Sequence, residues 1–347
     1  MTVTPIAPEL EQWIDHPSGW LALSPRNARF ERPGAPGFVA YREQGKHLVA
    51  FGGVHAPEAE RAPLLAAFLA HADERRKRVL AVQVRAAQAA LFAAHGFTVN
   101  RFGASYGLSI ASHGLGGGAR VKLRQKVKRA EKLGLKVLEL GVDLPRDGAA
   151  FAKLEEISAV WLKKKGKHEL DFMIGELGEP DARRRRVFVV VEPATSATPA
   201  TADEPARLAA PERWSAFISY VPAPGVRAGW LHDLTRRLPD ARPGAMELCN
   251  HAAIERFRTE GAAWLHFGFT PFLLPPASAD PELPQASRLA AWIIGKLGRW
   301  GGAIYPAEDQ VRYKQKWAPD VVEAEYLAFR PLSLRAIWDL LVVTRSV

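Results

Sequence analysis

From Gly37 onward the apolar residues come in short runs that two periodicities explain. GFVAYR (37–42) and HLVAFGG (47–53) read as strands, the second closed by Gly52-Gly53. A helix over Pro57–Ala72 follows, with Leu64, Leu65, Phe68 and Leu69 on one face. Then come a strand over Val79–Val84, a short helix over Ala86–Ala94 and a strand near Tyr106–Ile110. These elements have the size of one α/β unit.

HGLGGG (113–118) reads as a connector, and it feeds a helix over Arg120–Leu133 whose apolar stripe is Leu123, Val127 and Ala130. A second series then repeats the order of the first. It has a strand over Lys136–Leu140, a helix over Ala149–Trp161 and strands over Val187–Val191, Trp214–Val221 and Arg227–Asp233. A helix over Ala245–Thr259 and a strand over Ala263–Gly268 complete it. Residues 192–212, rich in Ala, Thr and Pro, hold too little to bury and read as a disordered hairpin loop. Pro271–Pro284 is a second Pro-rich excursion, before an apolar helix over Arg288–Leu297. The pattern divides the chain into a first unit (1–113), a linker with the basic helix (114–135) and a second unit (136–347).

Composition adds limits. At 48% hydrophobic, 24% charged and 9% aromatic, the 347 residues are those of a globular chain rather than a collagen-like, coiled-coil or disordered one. No apolar run approaches the roughly 18 residues a spanning helix needs, and MTVTPIAPELEQW lacks the pattern of a signal peptide. Cys249 is the single cysteine, so no intrachain disulfide forms, and no Cys/His spacing suggests a metal. A cytoplasmic location is expected, with peripheral contact at the inner face of an anionic membrane as an option.

Charge points to an anionic partner: 47 Lys and Arg against 37 Asp and Glu leave +10. Arg120, Lys122, Arg124, Lys126, Lys128, Arg129 and Lys132 stand against Glu131 alone on one short helix. Lys163–Lys167 and Arg183–Arg186 add two more clusters. A charge run is ordinarily a solvated face; three clusters in one stretch also suit the phosphates of a large polyanion. Trp161 and His168 beside the lysines fit either a core position or base stacking.

Several chemistries find no support. HExxH, the P-loop pattern and the EF-hand are absent. Gly114, Gly116 and Ala119 satisfy GxGxxA, but the helix they open is studded with Lys and Arg where a dinucleotide fold packs on its sheet. The acyl-CoA signature of acetyltransferases is missing between Asp233 and Met246. There the reading is a strand ending at Asp233, a loop with Arg236 and Arg237, and a helix opened by Gly244. Asp233 and Arg236 are either a surface ion pair or a catalytic pair at a strand end. RYKQKW (312–317) alternates, and as a strand it puts Lys314 and Lys316 on one face, solvated or facing an anion.

LRQKVKRAEKLGL, WLHDLTRRLPDARPGAMELC, HFGFTPF and RYKQKWAPDVVEAEYLAF resemble, in that order, the C-terminal catalytic region of bacterial phosphatidylglycerol lysyltransferases, the domain of unknown function 2156 group. Its D-L-x-R element matches Asp233–Arg236, its G-x-x-P turn Gly268–Pro271, and its F/Y-K-x-K-F/W-x-P element Tyr313–Pro319. The resemblance implies an α/β (α+β) fold of tandem acetyltransferase-like (GNAT) units with mixed, mostly antiparallel sheets, each unit with a splayed strand pair. It implies transfer of an aminoacyl group from aminoacyl-tRNA to the hydroxyl of phosphatidylglycerol, without cofactor, metal or DNA. The multi-span membrane domain of the full-length lipid enzymes is missing here, which admits soluble small acceptors beside the lipid.

Carried onto this sequence, the resemblance makes Asp233 and Arg236 the catalytic pair, with Arg236 holding Asp233 or a phosphate. Glu247, Gly268, Tyr313, Lys314 and Lys316 become substrate-binding. Arg120, Lys122, Arg124, Lys126, Lys128, Arg129, Lys163, Lys164 and Lys165 become tRNA-binding. The competing classes are an acyl-CoA-dependent acetyltransferase and a non-catalytic RNA- or membrane-binding module.

Overall fold

The structure is a computed structural model that describes residues 8–165, 175, 177, 184–193, 212–272, 283, 286–300, 307–331 and 333–345. The expected disordered stretch at 192–212 lies, but for its ends, outside the described residues, as do His168 and most of the Pro-rich excursion.

The first unit starts with a one-turn helix α1 (Pro8–Glu11), a buried 3-10 turn (Gly19–Leu23) and strands β1 (Ala28–Phe30), β2 (Phe38–Gln44) and β3 (His47–His55). Helix α2 (Glu58–Glu74), β4 (Arg78–Arg85), α3 (Ala86–Ala94) and β5 (Thr98–Ser109) follow. After the basic helix α4 (Val121–Lys132) come β6 (Lys136–Glu139), α5 (Gly148–Lys165), β7 (Arg186–Glu192), β8 (Arg213–Ala223), β9 (Gly229–Arg237), α6 (Ala245–Thr259) and β10 (Trp264–Pro271). Helices α7 (Arg288–Trp300) and α8 (Ala307–Gln315), strand β11 (Val321–Phe329) and α9 (Leu334–Val343) close the chain.

The two expected sheets are one. Among the described residues eleven strands hydrogen-bond in the order β1-β2-β3-β4-β11-β5-β10-β9-β8-β7-β6, all antiparallel except β3 with β4 and β9 with β10. The halves join because β5 pairs with β10, while β11, from the far end of the chain, inserts between β4 and β5. Central strands buried on both faces need apolar residues at successive positions, and HLVAFGGVH in β3 is buried throughout.

Both parallel pairs are short. β3 and β4 pair over His47–Phe51 and Arg78–Val82, and then part. Gln88 from α3 fills that gap, with Oε1 accepting from Val54 N–H (2.8 Å) and Nε2 donating to Val54 O (3.0 Å). The equivalent gap between β9 and β10 stays open.

Helix α4 lies where its stripe predicts. Leu123, Val127 and Ala130 are fully buried with α6 residues Cys249, Ala253, Ile254 and Phe257 in one core cluster. The contact is close because α6 is capped by Gly244, at φ +88°, where a Cβ would stand 2.4 Å from Lys126 O. Cys249 lies within this core, and burial pushes its thiol well above the usual range. Cys249 is therefore expected to stay silent toward aromatic disulfide reagents in the native protein and to react once guanidinium unfolds it. Native reactivity at the rate of a free thiol would show that α4 does not stay docked.

Candidate functional site

β9 and β10 pair only over Gly229–Leu231 and Trp264–His266. Beyond that point β9 bulges, with Asp233 and Leu234 opposite the single residue Ser219 of β8. β10 loses register between His266 and Phe269, around Gly268 at φ +69°. The strands separate there, and a cavity of about 860 Å³ occupies the opening.

Its walls differ in character. Lys126 and Arg129 come from α4, Arg236 and Arg237 from β9, and Arg312 and Lys316 from α8 and the turn after it. Leu21, Phe102, Phe269, Phe272, Leu340 and Leu341 come from the 3-10 turn, β5, the end of β10 and α9. One cavity thus meets both an anion's and a hydrocarbon's requirements.

Asp233 sits within β9, which runs on to Arg237 rather than ending at the aspartate. Its partner is Arg185, not Arg236. Arg185 donates to Asp233 Oδ2 and to Ser219 Oγ (2.9 Å), and Gly175 N–H donates to Asp233 Oδ1 (3.1 Å). Both members of the pair are almost fully buried. Arg236 instead lies over the Trp161 ring, 4.3 Å from its centroid, which accounts for Trp161 without base stacking.

Glu247, in the first turn of α6, accepts from Lys126 Nζ (2.9 Å) and Lys316 Nζ (3.2 Å). Burial pushes its carboxyl up, but the bonds and charges of those two lysines outweigh that and hold it below the usual range. Lys316 is pulled down by burial against the opposing pull of Glu247.

RYKQKW is not a strand. Arg312–Gln315 form the last turn of α8, so Tyr313 and Trp317, four apart, both reach the core. Lys314 turns inward and is 4% exposed. Its Nζ donates to Gly268 O (2.7 Å), Phe269 O (3.1 Å) and Thr270 Oγ1 (2.7 Å), so it fastens α8 to the register break of β10 and does not reach for an outside phosphate. Burial drives its pKa down to about 7, against the charge of Glu325. The Tyr313 hydroxyl finds no hydrogen-bond partner among the described residues.

The basic helix divides its residues. Arg120 donates to Trp317 O (3.5 Å) and Arg124 to Leu115 O (2.6 Å), holding the connector. Lys126 and Arg129 line the cavity, while Lys122 and Lys128 are exposed. Lys163 and Lys164 are exposed near the end of α5; the side chain of Lys165 lies outside the described residues. Of the Arg183–Arg186 cluster, Arg183 lies outside the described residues and the other three point to different partners. Arg184 lies over Trp20 (4.4 Å), Arg185 is buried on Asp233, and Arg186 binds Glu139 through Nε and Nη2 (2.6 and 2.7 Å) while also reaching Glu260.

Sequence reasoning missed Arg185, His232 and Thr235. His232 Nε2 lies 2.5 Å from Thr235 Oγ1, and burial, with the charge of Lys314, pushes the imidazole down to about 4, so it is neutral. Only the bulge brings these two side chains together, and a bulge leaves no mark in the hydrophobic pattern. Among the described residues no group of three His, Cys, Asp or Glu is arranged to hold a metal ion.

The profile of the family "phosphatidylglycerol lysyltransferase, C-terminal" matches residues 8–329. The C-terminal domain (domain of unknown function 2156) assigned to a lysylphosphatidylglycerol synthetase of Agrobacterium fabrum superposes with a TM-score of 0.74 at 19% identity, over 97% of this chain and 95% of that one. L-PGS from Bacillus licheniformis gives 0.74 at 18%, over 99% and 97%. FemX gives 0.51 at 10%, over 93% and 97%. No curated protein sequence matches. The described residues form a mixed α/β fold on one large mixed sheet, the fold of these neighbours. With 8–329 under one family profile, the chain belongs to the phosphatidylglycerol lysyltransferase C-terminal family of acyltransferase-like enzymes.

Proposed function

We propose that the chain moves an aminoacyl group from aminoacyl-tRNA to a hydroxyl of phosphatidylglycerol. The observation that carries this reading is a cavity with one cationic and one apolar wall, set in the opening between β9 and β10. The cationic wall, together with the exposed Lys122 and Lys128 of α4 and Lys163 and Lys164 of α5, suits the phosphates at a tRNA acceptor end. The apolar wall suits the glycerol and upper acyl chains of a lipid, and the family points to that acceptor.

An aminoacyl ester is already activated. The protein has only to align the acceptor hydroxyl, assist its deprotonation and stabilise the oxyanion. Arg236, steadied by Trp161, and Lys126 with Lys316 around Glu247 would hold the donor's terminal phosphates. Asp233, clamped by Arg185, keeps the bulged segment of β9 in place.

Two features oppose an acyl-CoA donor. Pyrophosphates bind at open helix N-termini, but the start of α6 faces the cavity with the anionic Glu247 in its first turn and packs Gly244 against Lys126 O. In the first unit the strand gap is closed by Gln88.

Exchanging Lys122 and Lys128 for Glu is expected to weaken tRNA binding without changing Tm, since both side chains are exposed and neither has a structural role on the cavity wall. Log affinity of the native protein should fall with log salt at about −0.7 to −0.9 per phosphate contacted, and less steeply in the variant. Electrophoretic mobility shift across a salt series measures both. A salt-independent affinity would make α4 a solvated face.

A further inference from the structure

The bulge in β9 has a chemical consequence. Along a regular strand, residues three apart point to opposite faces. Here His232 opposes Tyr220 and Thr235 opposes Ile218, and those two are two apart on β8. The extra residue at Asp233–Leu234 therefore turns His232 and Thr235 to the same face, where Nε2 and Oγ1 meet at 2.5 Å.

The ring's surroundings fix which atom carries the proton. Nδ1 is buried and makes no hydrogen bond within reach. A buried N–H left without an acceptor is rarer and costlier than a bare acceptor. The proton then sits on Nε2, and Nε2–H donates to Thr235 Oγ1.

A hydroxyl that accepts in this way keeps its own O–H to give. Among the described residues no acceptor takes it, and Thr235 lines the cavity. We propose that Thr235 Oγ–H is a catalytic hydrogen-bond donor to the carbonyl oxygen of the transferred acyl group, with His232 as the positioning residue that fixes its direction. The inference rests on the aminoacyl-transfer reading above and adds a residue to it.

In the step itself the acceptor oxygen attacks the ester carbon, and the carbonyl π pair moves onto its oxygen. The Thr235 hydroxyl shortens its hydrogen bond to that oxyanion without giving up its proton. When the pair returns, the bond to the tRNA ribose oxygen breaks, and the proton lost by the acceptor hydroxyl ends on that ribose oxygen. A donor that is aimed before charge develops costs no reorganisation at the barrier.

The test joins kinetics to spectroscopy. Single-turnover transfer of label from aminoacyl-tRNA to phosphatidylglycerol vesicles should fall about 100-fold in Thr235→Val, a loss in the range seen when one oxyanion donor is removed. The Kd for tRNA should be unchanged, the Tm should drop modestly because the buried His232 N–H loses its acceptor, and Thr235→Ser should restore the Tm and most of the rate. Wild-type rate in Thr235→Val would overturn the proposal. Independently of any activity, nitrogen-15 spectra of the native protein should show His232 as the Nε2–H tautomer from pH 6 to 8. The Nδ1–H tautomer would also overturn it, because Thr235 would then spend its proton on the ring. Failure of the native protein to transfer label would strike the aminoacyl-tRNA reading, and the tautomer would still decide the geometry on which the donor depends.

Discussion

Arg185→Met should destabilise the protein by about 3–5 kcal/mol, because it leaves Asp233 buried with its charge uncompensated. The same reasoning makes Asp233→Leu costly, since it takes the carboxylate away from the buried Arg185 guanidinium. The double variant Arg185→Met/Asp233→Leu removes both charges from a buried site. Replacing a whole buried ion pair by apolar side chains is often close to neutral, so the double variant should recover most of the lost stability. Guanidinium unfolding of the four proteins gives the coupling energy directly. Additive losses would mean that the pair is not a unit and that Asp233 is free to do chemistry of its own. Activity separates the roles further: the double variant should fold yet transfer poorly, since the bulge that carries His232 and Thr235 is built around Asp233.

The second large effect follows pH. Lys314 is buried, and its folded pKa is pushed to about 7 from the roughly 10.4 of an unfolded lysine. Between those values the unfolded chain binds a proton that the folded protein releases, so the Lys314 contribution to stability rises with pH through this window. Below pH 7 both states are protonated and the dependence levels off. Each pH unit is worth about 1.4 kcal/mol. Allowing for the three acceptors that favour the ammonium, the native protein should gain about 3 kcal/mol relative to Lys314→Met between pH 7 and pH 10. Urea unfolding of the two proteins at matched pH values measures that difference. A flat difference would show that the three acceptors hold the ammonium fully charged in the fold.

Much of the fold was legible where one periodicity rules over a long window. Helix α6 falls at Ala245–Thr259 as read, and α4, which buries one clean face, at Val121–Lys132. Strand β11 was not read, since VVEAEYLAF gains its partners from β4 and β5, more than 200 residues earlier in the chain. Lys314 and Lys316 were misplaced for a related reason. RYKQKW alternates like a strand, yet burying Tyr313 and Trp317 in one core satisfies a helical turn equally well, and packing decides. The family motifs found the cavity, since Asp233, Arg236, Glu247, Gly268, Tyr313, Lys314 and Lys316 all line it. They could not show that Asp233 belongs to Arg185, because four consecutive arginines carry no sign of which one turns inward.

Transfer itself is the most direct measurement. Purified protein is mixed with aminoacyl-tRNA labelled in one amino acid at a time, together with phosphatidylglycerol vesicles, and the lipid phase is extracted and counted after a single turnover. Label should pass from the tRNA into an organic-extractable, alkali-labile product for at least one amino acid, only when phosphatidylglycerol is present. Label that stays on the tRNA throughout the series, in protein that binds tRNA and melts cooperatively, would contradict the proposed reaction.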